Sequence, residues 1–209
     1  MRKSYIFILF IIVASFLIGL IFYSQFPDMV ASHWNAKGEV DGYMSKFWGI
    51  FLMPIVSLGL FFMFLIIPRI DPLKKNIEKF RKYFDSFVVL IILFLFYIFL
   101  LSVFWNLGAR FNMSKVILPA MGILFFYIGV LLKHAKRNWF IGIRNPWTLS
   151  SDIVWDKTHK LGSKLFKIAG VVSLIGIFFP SISIWLVLIP VIVFSVYTIF
   201  YSYFEHKKL

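Results

Sequence analysis

Cysteine is absent from the 209-residue chain, which removes a disulfide framework, a thiolate nucleophile and any thiolate metal site. Charge is scarce as well: Asp, Glu, Lys and Arg make up 15% of the residues, against about 25% in an ordinary water-soluble domain. Acidic side chains are the scarcest, with 9 Asp and Glu facing 22 Lys and Arg for a formal net charge of +13. Apolar residues fill the space, at 61% of the chain with a mean hydropathy of +0.88. These proportions exclude a soluble globular domain, a small secreted scaffold and a zinc ribbon, and they describe an integral membrane protein. The surplus of cations reads as membrane orientation, not as direct nucleic-acid binding, because it is spread over membrane-proximal loops without a groove-reading motif.

A bilayer core about 30 Å thick needs about 20 apolar helical residues. Five uncharged intervals meet that length: Ser4 to Phe26, Phe47 to Pro68, Ser86 to Ala109, Val116 to Leu132, and Ile168 to Phe204. The last holds 37 residues, roughly 55 Å as one helix, and should fold back on itself at Pro180-Ser181-Ile182-Ser183, since proline removes a backbone donor and disfavours helix before it. With its fifth helix starting near Gly162, the fold expected is all-α with six transmembrane helices. The first run exceeds a signal-peptide core and no small-x-small site follows it, so it reads as an uncleaved span. Three regions organise the chain: 1–68 with the first two spans, 69–132 with a basic loop and spans three and four, and 133–209 with a second basic loop and the last two spans.

Orientation follows from the connecting segments, because Lys and Arg are retained on the cytoplasmic side. The termini and the second and fourth loops carry 18 of these residues; the other side has only Lys37, Lys46, Arg110 and Lys115. Both termini are therefore expected in the cytoplasm. The span cores as drawn contain no ionisable side chain, which argues against proton relays and ion-coupled carriers. Pro54, Pro119 and Pro190 lie inside spans that neighbouring helices can accommodate, and Trp34, Trp48, Trp105 and Trp139 fall where an interfacial aromatic belt would place them.

Two loops carry the chemistry. The outer one, Phe26 to Lys46, is rich in turn formers: Asp41-Gly42 signals a turn, Gly38 a second flexible point, and a compact cap is expected. His33, Glu39 and Asp41 are types suited to metal binding or acid–base work, but their spacing matches no ligand motif, and a structural cap or binding surface is the preferred reading. The inner loop, Asn138 to Lys164, has a break at Asn145-Pro146 and a helix cap at Ser150 or Ser151. Val154, Thr158, Leu161 and Leu165 then recur at helical spacing, predicting a short interfacial amphipathic helix before the fifth span, with Asp156 paired to Lys160. Arg144 beside Trp147 has the planar fork that holds a carboxylate, a phosphate or an aromatic face; specific recognition and simple anchoring to anionic lipid both fit.

At these loops the chain resembles the SdpI family of immunity proteins. The segment Gly142-Ile143-Arg144-Asn145-Pro146-Trp147-Thr148-Leu149 followed by Val154-Trp155 is similar to the family's G-[IL]-R-T-P-W-T-L…V-W signature, with Asn145 in place of threonine. The outer segment, with Pro27, His33-Trp34-Asn35, Gly38, Asp41-Gly42-Tyr43 and Ser45-Lys46, resembles a domain of unknown function often found in the N-terminal half of such proteins; Ala31 stands where a proline is common. The resemblance implies a multispan, non-enzymatic protein, without cofactor or metal, that protects its host from a membrane-active peptide toxin. It further implies capture of a cytoplasmic repressor at the membrane. Carried over, the inner partner-binding residues are Arg144, Pro146, Trp147, Thr148 and Trp155, and the outer ligand-binding residues are His33, Trp34, Asn35, Asp41 and Tyr43. A membrane enzyme or small-solute transporter working through His33 and Asp41 is the alternative, and a lipid-organising structural protein the third reading.

Overall fold

Lipid offers no hydrogen-bond partner to bare backbone, so a long apolar segment satisfies itself by coiling into a helix. The computed structural model describes residues 2–179 and 182–209, and among them six helices are long and apolar enough to cross a membrane: α1 (Lys3–Phe22), α2 (Lys46–Ile70), α4 (Arg81–Asn106), α5 (Met113–His134), α7 (Asp152–Ile175) and α8 (Ser183–His206). Two short helices, α3 (Lys74–Lys79) and α6 (Pro146–Ser150), lie in the connections, with two strands, β1 (Met29–Trp34) and β2 (Val40–Ser45), between α1 and α2. The multispan helical membrane fold read from the sequence is what forms. Of the expected break after the fifth span, Pro180 and Ser181 lie outside the described residues; α7 gives way to a 3₁₀ turn at Gly176–Phe178 before them.

Packing gathers α1, α2 and α4 on one side and α5, α7 and α8 on the other, with α4 against α5 joining the two groups. The first group interlocks through large residues, with Ile8, Ile12, Phe61, Phe64, Phe84 and Ile92 buried together. The second depends on small ones: a Cβ added at Gly170 would stand 2.6 Å from the Gly122 carbonyl oxygen, and one at Gly129 would stand 2.7 Å from that of Ser163. Close backbone approach of this kind replaces the hydrophobic drive that lipid removes. Pro54, Pro119 and Pro190 sit within α2, α5 and α8 without ending them.

The structure corrects three local expectations. The stretch expected to form a separate interfacial helix, from Val154 to Leu165, is instead continuous with the fifth span, since α7 runs unbroken from Asp152 through Gly162. The amphipathic turns are its beginning, and their buried side, Val154, Trp155, Thr158, His159, Gly162 and Ser163, packs into protein. Asp156 pairs with Lys136 of the preceding loop at 3.4 Å in place of the Lys160 pairing foreseen. In the outer loop the cap is a β-hairpin with β1 and β2 antiparallel and bulged around His33. Its turn falls at Asn35 to Gly38, where Gly38 takes the positive φ of 81°. Gly42 is a strand residue opposite His33, and a Cβ there would come within 2.9 Å of the His33 Cβ. Thus the Asp41-Gly42 pair marks a close strand approach, not the turn.

Candidate functional site

The termini, α3 and the 135–151 loop meet at one end of the bundle, which we call the terminal end; the hairpin and the start of α5 and α8 meet at the other, the hairpin end. An isolated two-stranded hairpin is marginal in water, so this one needs docking. Val30 and Ala31 are buried beneath it, and Asn106 at the end of α4 clasps the Ala31 backbone, accepting from its N–H at 2.8 Å and donating to its carbonyl at 3.0 Å. The turn leans on α5: Asn112 Nδ2 donates to the Lys37 carbonyl at 2.7 Å, and Ser114 Oγ to that of Asn35 at 3.2 Å. Asn35 spends its side chain inside the turn, Oδ1 accepting from the Lys37 and Glu39 N–H groups at 2.9 and 3.1 Å and Nδ2 donating to Glu39 Oε2 at 3.1 Å.

His33 Nδ1 and Asp41 Oδ1 face each other across the strands at 2.5 Å, with the histidine side chain 71% exposed. Glu39 is engaged with Asn35, so the His33, Glu39 and Asp41 set considered from sequence does not converge, and no group of three or more His, Cys, Asp or Glu suited to a metal ion gathers among the described residues. Tyr43 points to solvent. Trp34 turns the other way. Its ring meets Trp105 edge to face at 5.6 Å, and Trp105 is itself covered by the Arg110 guanidinium at 3.8 Å. Beneath Trp34 lies a cavity of about 450 Å³ walled by Ile98, Met113, Ile117, Met121 and Ile184, with Ser32, Asn35 and Ser114 at its polar edge. The Trp34 indole N–H is buried and has no acceptor among the described residues. A buried donor left unmatched costs about 1–3 kcal/mol, and the apolar wall suits an apolar ligand.

At the terminal end the signature loop is buckled around buried polar residues. Asn138 holds it from inside: Oδ1 accepts from the Phe140 and Ile141 N–H groups at 2.9 and 2.6 Å, and Nδ2 donates to the Lys136 and Ile141 carbonyls at 2.8 and 2.9 Å. Asp71 accepts from the Trp139 N–H at 2.9 Å, and Asn76 Nδ2 donates to the Arg137 carbonyl at 2.9 Å, fastening the loop to the α2–α3 connection. Gly142 follows with φ of 119°, and a Cβ there would run into His159 Nε2. Asn145 caps α6 reciprocally with Thr148 and extends Nδ2 to Ser202 Oγ on α8 at 2.8 Å.

The carried-over inner residues divide by exposure. Thr148 is buried, donating Oγ1 to the Ile143 carbonyl at 2.9 Å. Trp155 is also buried, with Nε1 donating to the Ala135 carbonyl at 2.9 Å and its ring stacked 3.9 Å from that of His159. These two position the loop. Arg144 and Pro146 are exposed, the guanidinium donating to the Trp139 carbonyl at 2.7 Å, and Trp147 is half-buried against Tyr203 at 5.2 Å.

Sequence reasoning missed His159, which accepts the Ile143 N–H through Nε2 at 3.0 Å and faces the Trp155 carbonyl through Nδ1 at 2.9 Å. Only the Nδ1–H neutral tautomer serves both. It also missed Glu205, buried at the end of α8 between Lys157 and Lys208, each at 2.6 Å; the hydrogen bond to that carboxylate holds the Lys208 ammonium above its ordinary range. A carboxylate in the last turn before a basic tail was the available signal for Glu205.

Comparison with known proteins bears on both ends. Residues 134–202 match the SdpI/YfhL protein family, and residues 10–58 match a domain of unknown function, DUF1648. Immunity protein SdpI of Bacillus subtilis (strain 168) is 29% identical in an alignment that covers all of this chain and 98% of that protein. No solved structure matches.

Proposed function

We propose, from the match of residues 134–202 to the SdpI/YfhL protein family, that the chain is a multi-pass membrane immunity protein protecting its host cell against a membrane-active peptide toxin. The full-length likeness to an immunity protein supports the class of function. The observation that carries the mechanism is the cavity under the hairpin, apolar along its walls and lined by Trp34, whose indole N–H is buried and unmatched among the described residues. A membrane-active peptide is itself largely apolar and has backbone carbonyls that must find donors once out of water. One apolar side chain of such a peptide would fill the cavity, and the Trp34 ring, displaced by it, would free its N–H to donate to a neighbouring carbonyl, with Tyr43, His33 and Asp41 on the outward face of the hairpin as further contacts.

The orientation we propose puts the hairpin outside and both termini in the cytoplasm, on the strength of 18 Lys and Arg at the terminal end against four at the other. Arg144, Pro146 and Trp147 then offer an inner face on which a cytoplasmic transcriptional repressor is captured. Toxin shifts the population of helix arrangements only by its differential affinity for one of them, and the signature loop reports that shift.

Survival of a toxin-sensitive bacterium exposed to a peptide of the sporulation-delaying class tests this reading. Wild-type protein should raise the tolerated toxin concentration. Trp34→Phe, which keeps the ring and removes the N–H, should reduce that gain by about tenfold at equal membrane abundance without lowering thermal stability. A wild-type chain that gives no protection, or a Trp34→Phe variant that protects equally, contradicts it.

A further inference from the structure

Where the N-terminus meets the start of α4, at the terminal end, Arg2, Ser4, Lys82, Asp85 and Ser86 surround a depression of about 450 Å³. Its charges are unequal in availability. Arg2 lies 2.6 Å from Asp85 and 3.6 Å from Glu78, and Arg81 also binds both of these carboxylates, so two arginines and two acids satisfy each other. Lys82 is exposed and forms no ion pair among the described residues, leaving a net positive charge at the rim. The Ser4 hydroxyl beside it is a donor for an anionic oxygen, while that of Ser86 is hydrogen-bonded to Tyr127.

Ser86 and Val89 are also the first residues of a second hollow. This groove, about 510 Å³, runs between α4, α5 and α7 past Leu90, Leu93, Ile123, Phe126 and Leu174. From Ser86 to Leu93 is about 10 Å along α4, a depth that lies wholly inside the hydrocarbon when Ser86 is at the interface. Ile123, at 54%, and Phe126, at 44%, are openly exposed to what surrounds the helices.

We propose that the adjoining hollows seat one anionic phospholipid, its phosphate at Lys82 and Ser4 and an acyl chain in the α4–α5–α7 groove. Each half alone fits other ligands: a free phosphate needs no apolar groove, and an apolar peptide has no use for the uncompensated lysine. Their continuity through Ser86 and Val89, cation at the membrane surface and apolar channel below it, matches an amphiphile with an anionic head. Because α4 and α5 join the two helix groups, the lipid would act as a third element of that junction.

Native mass spectrometry of the purified, delipidated full-length protein titrated with phosphatidylglycerol or phosphatidylcholine of identical chains tests the site. The result expected is preferential retention of phosphatidylglycerol, about fivefold for one lysine at a membrane surface. Lys82→Glu abolishes the preference, while Lys133→Glu, an equal charge change at an exposed residue outside both hollows, keeps it. Ile123→Trp, which adds bulk to the groove at an exposed position, lowers retention of the phosphatidylglycerol, and millimolar glycerol phosphate does not compete. Should Lys82→Glu fail to assemble, Lys82→Gln makes the same test. Equal retention of the two lipids, or equal losses from the Lys82 and Lys133 variants, overturns the proposal; competition by glycerol phosphate overturns it in favour of a plain anion site.

Discussion

Trp155 shows how a residue's chemistry and its surroundings can point in different directions. As an amphipathic aromatic in a basic loop it reads as a contact for a partner, yet it is buried, donates to the Ala135 carbonyl and stacks on His159. Its Nε1–H satisfies a carbonyl that has lost its helical partner at the end of α5. We predict that Trp155→Phe, which keeps a ring against His159 but orphans that carbonyl, lowers stability by about 1–3 kcal/mol, read as a lower thermal midpoint in detergent. Arg144→Ala, at an exposed guanidinium tied among the described residues only to the Trp139 carbonyl, should change stability by less than about 0.5 kcal/mol. The exchange of threonine for Asn145 in the resembled signature also acquires a meaning here, since the amide caps α6 with Oδ1 while Nδ2 reaches Ser202 on α8.

Elements differ in how openly the sequence declares them. The helices were legible because uncharged runs of membrane length have one stable conformation in lipid; their starts move outward where charged residues continue a helix into the interface, from Ser86 to Arg81 in α4 and from near Gly162 to Asp152 in α7. The hairpin was not legible as strands, because Val-Asp-Gly-Tyr-Met-Ser is mostly exposed and carries a glycine that normally marks a turn. Docking by Asn106, Asn112 and Ser114, distant in sequence, decides it. Outer residues consequently part company: Trp34 faces a cavity, Asn35 is consumed by the turn, and His33, Asp41 and Tyr43 remain outside. The signature loop, fastened by Asn138 and Asp71, is a preformed surface in which only some members of the motif are presented. A cross-linked pull-down from native membranes should therefore recover a soluble DNA-binding protein with the wild-type chain and lose it with the Arg144→Ala, Trp147→Ala double variant at equal abundance. Identical captures would make the loop an anchor to lipid.

For the whole molecule, the two ends carry different chemistry and the same helices run between them. The hairpin rests on α2 and α4 and leans on α5, with α8 facing it across the cavity, and the signature loop is held by α5, α7 and α8, so α5 and α8 border both ends. A ligand that spreads or closes the hairpin end acts on the same helices that fix Asn145 and Trp155. The chain's lack of cysteine, its first compositional feature, makes this account directly measurable. Single cysteines placed at Ala36, on the exposed rim of the cavity, and at Ile153, exposed at the terminal end, can be labelled in intact cells with a membrane-impermeant maleimide, with and without the peptide toxin. The account predicts that Ala36→Cys is labelled from outside and shielded by toxin, while Ile153→Cys is labelled only after the cells are opened. Labelling of Ile153→Cys in intact cells, or an Ala36→Cys rate indifferent to toxin, would contradict it.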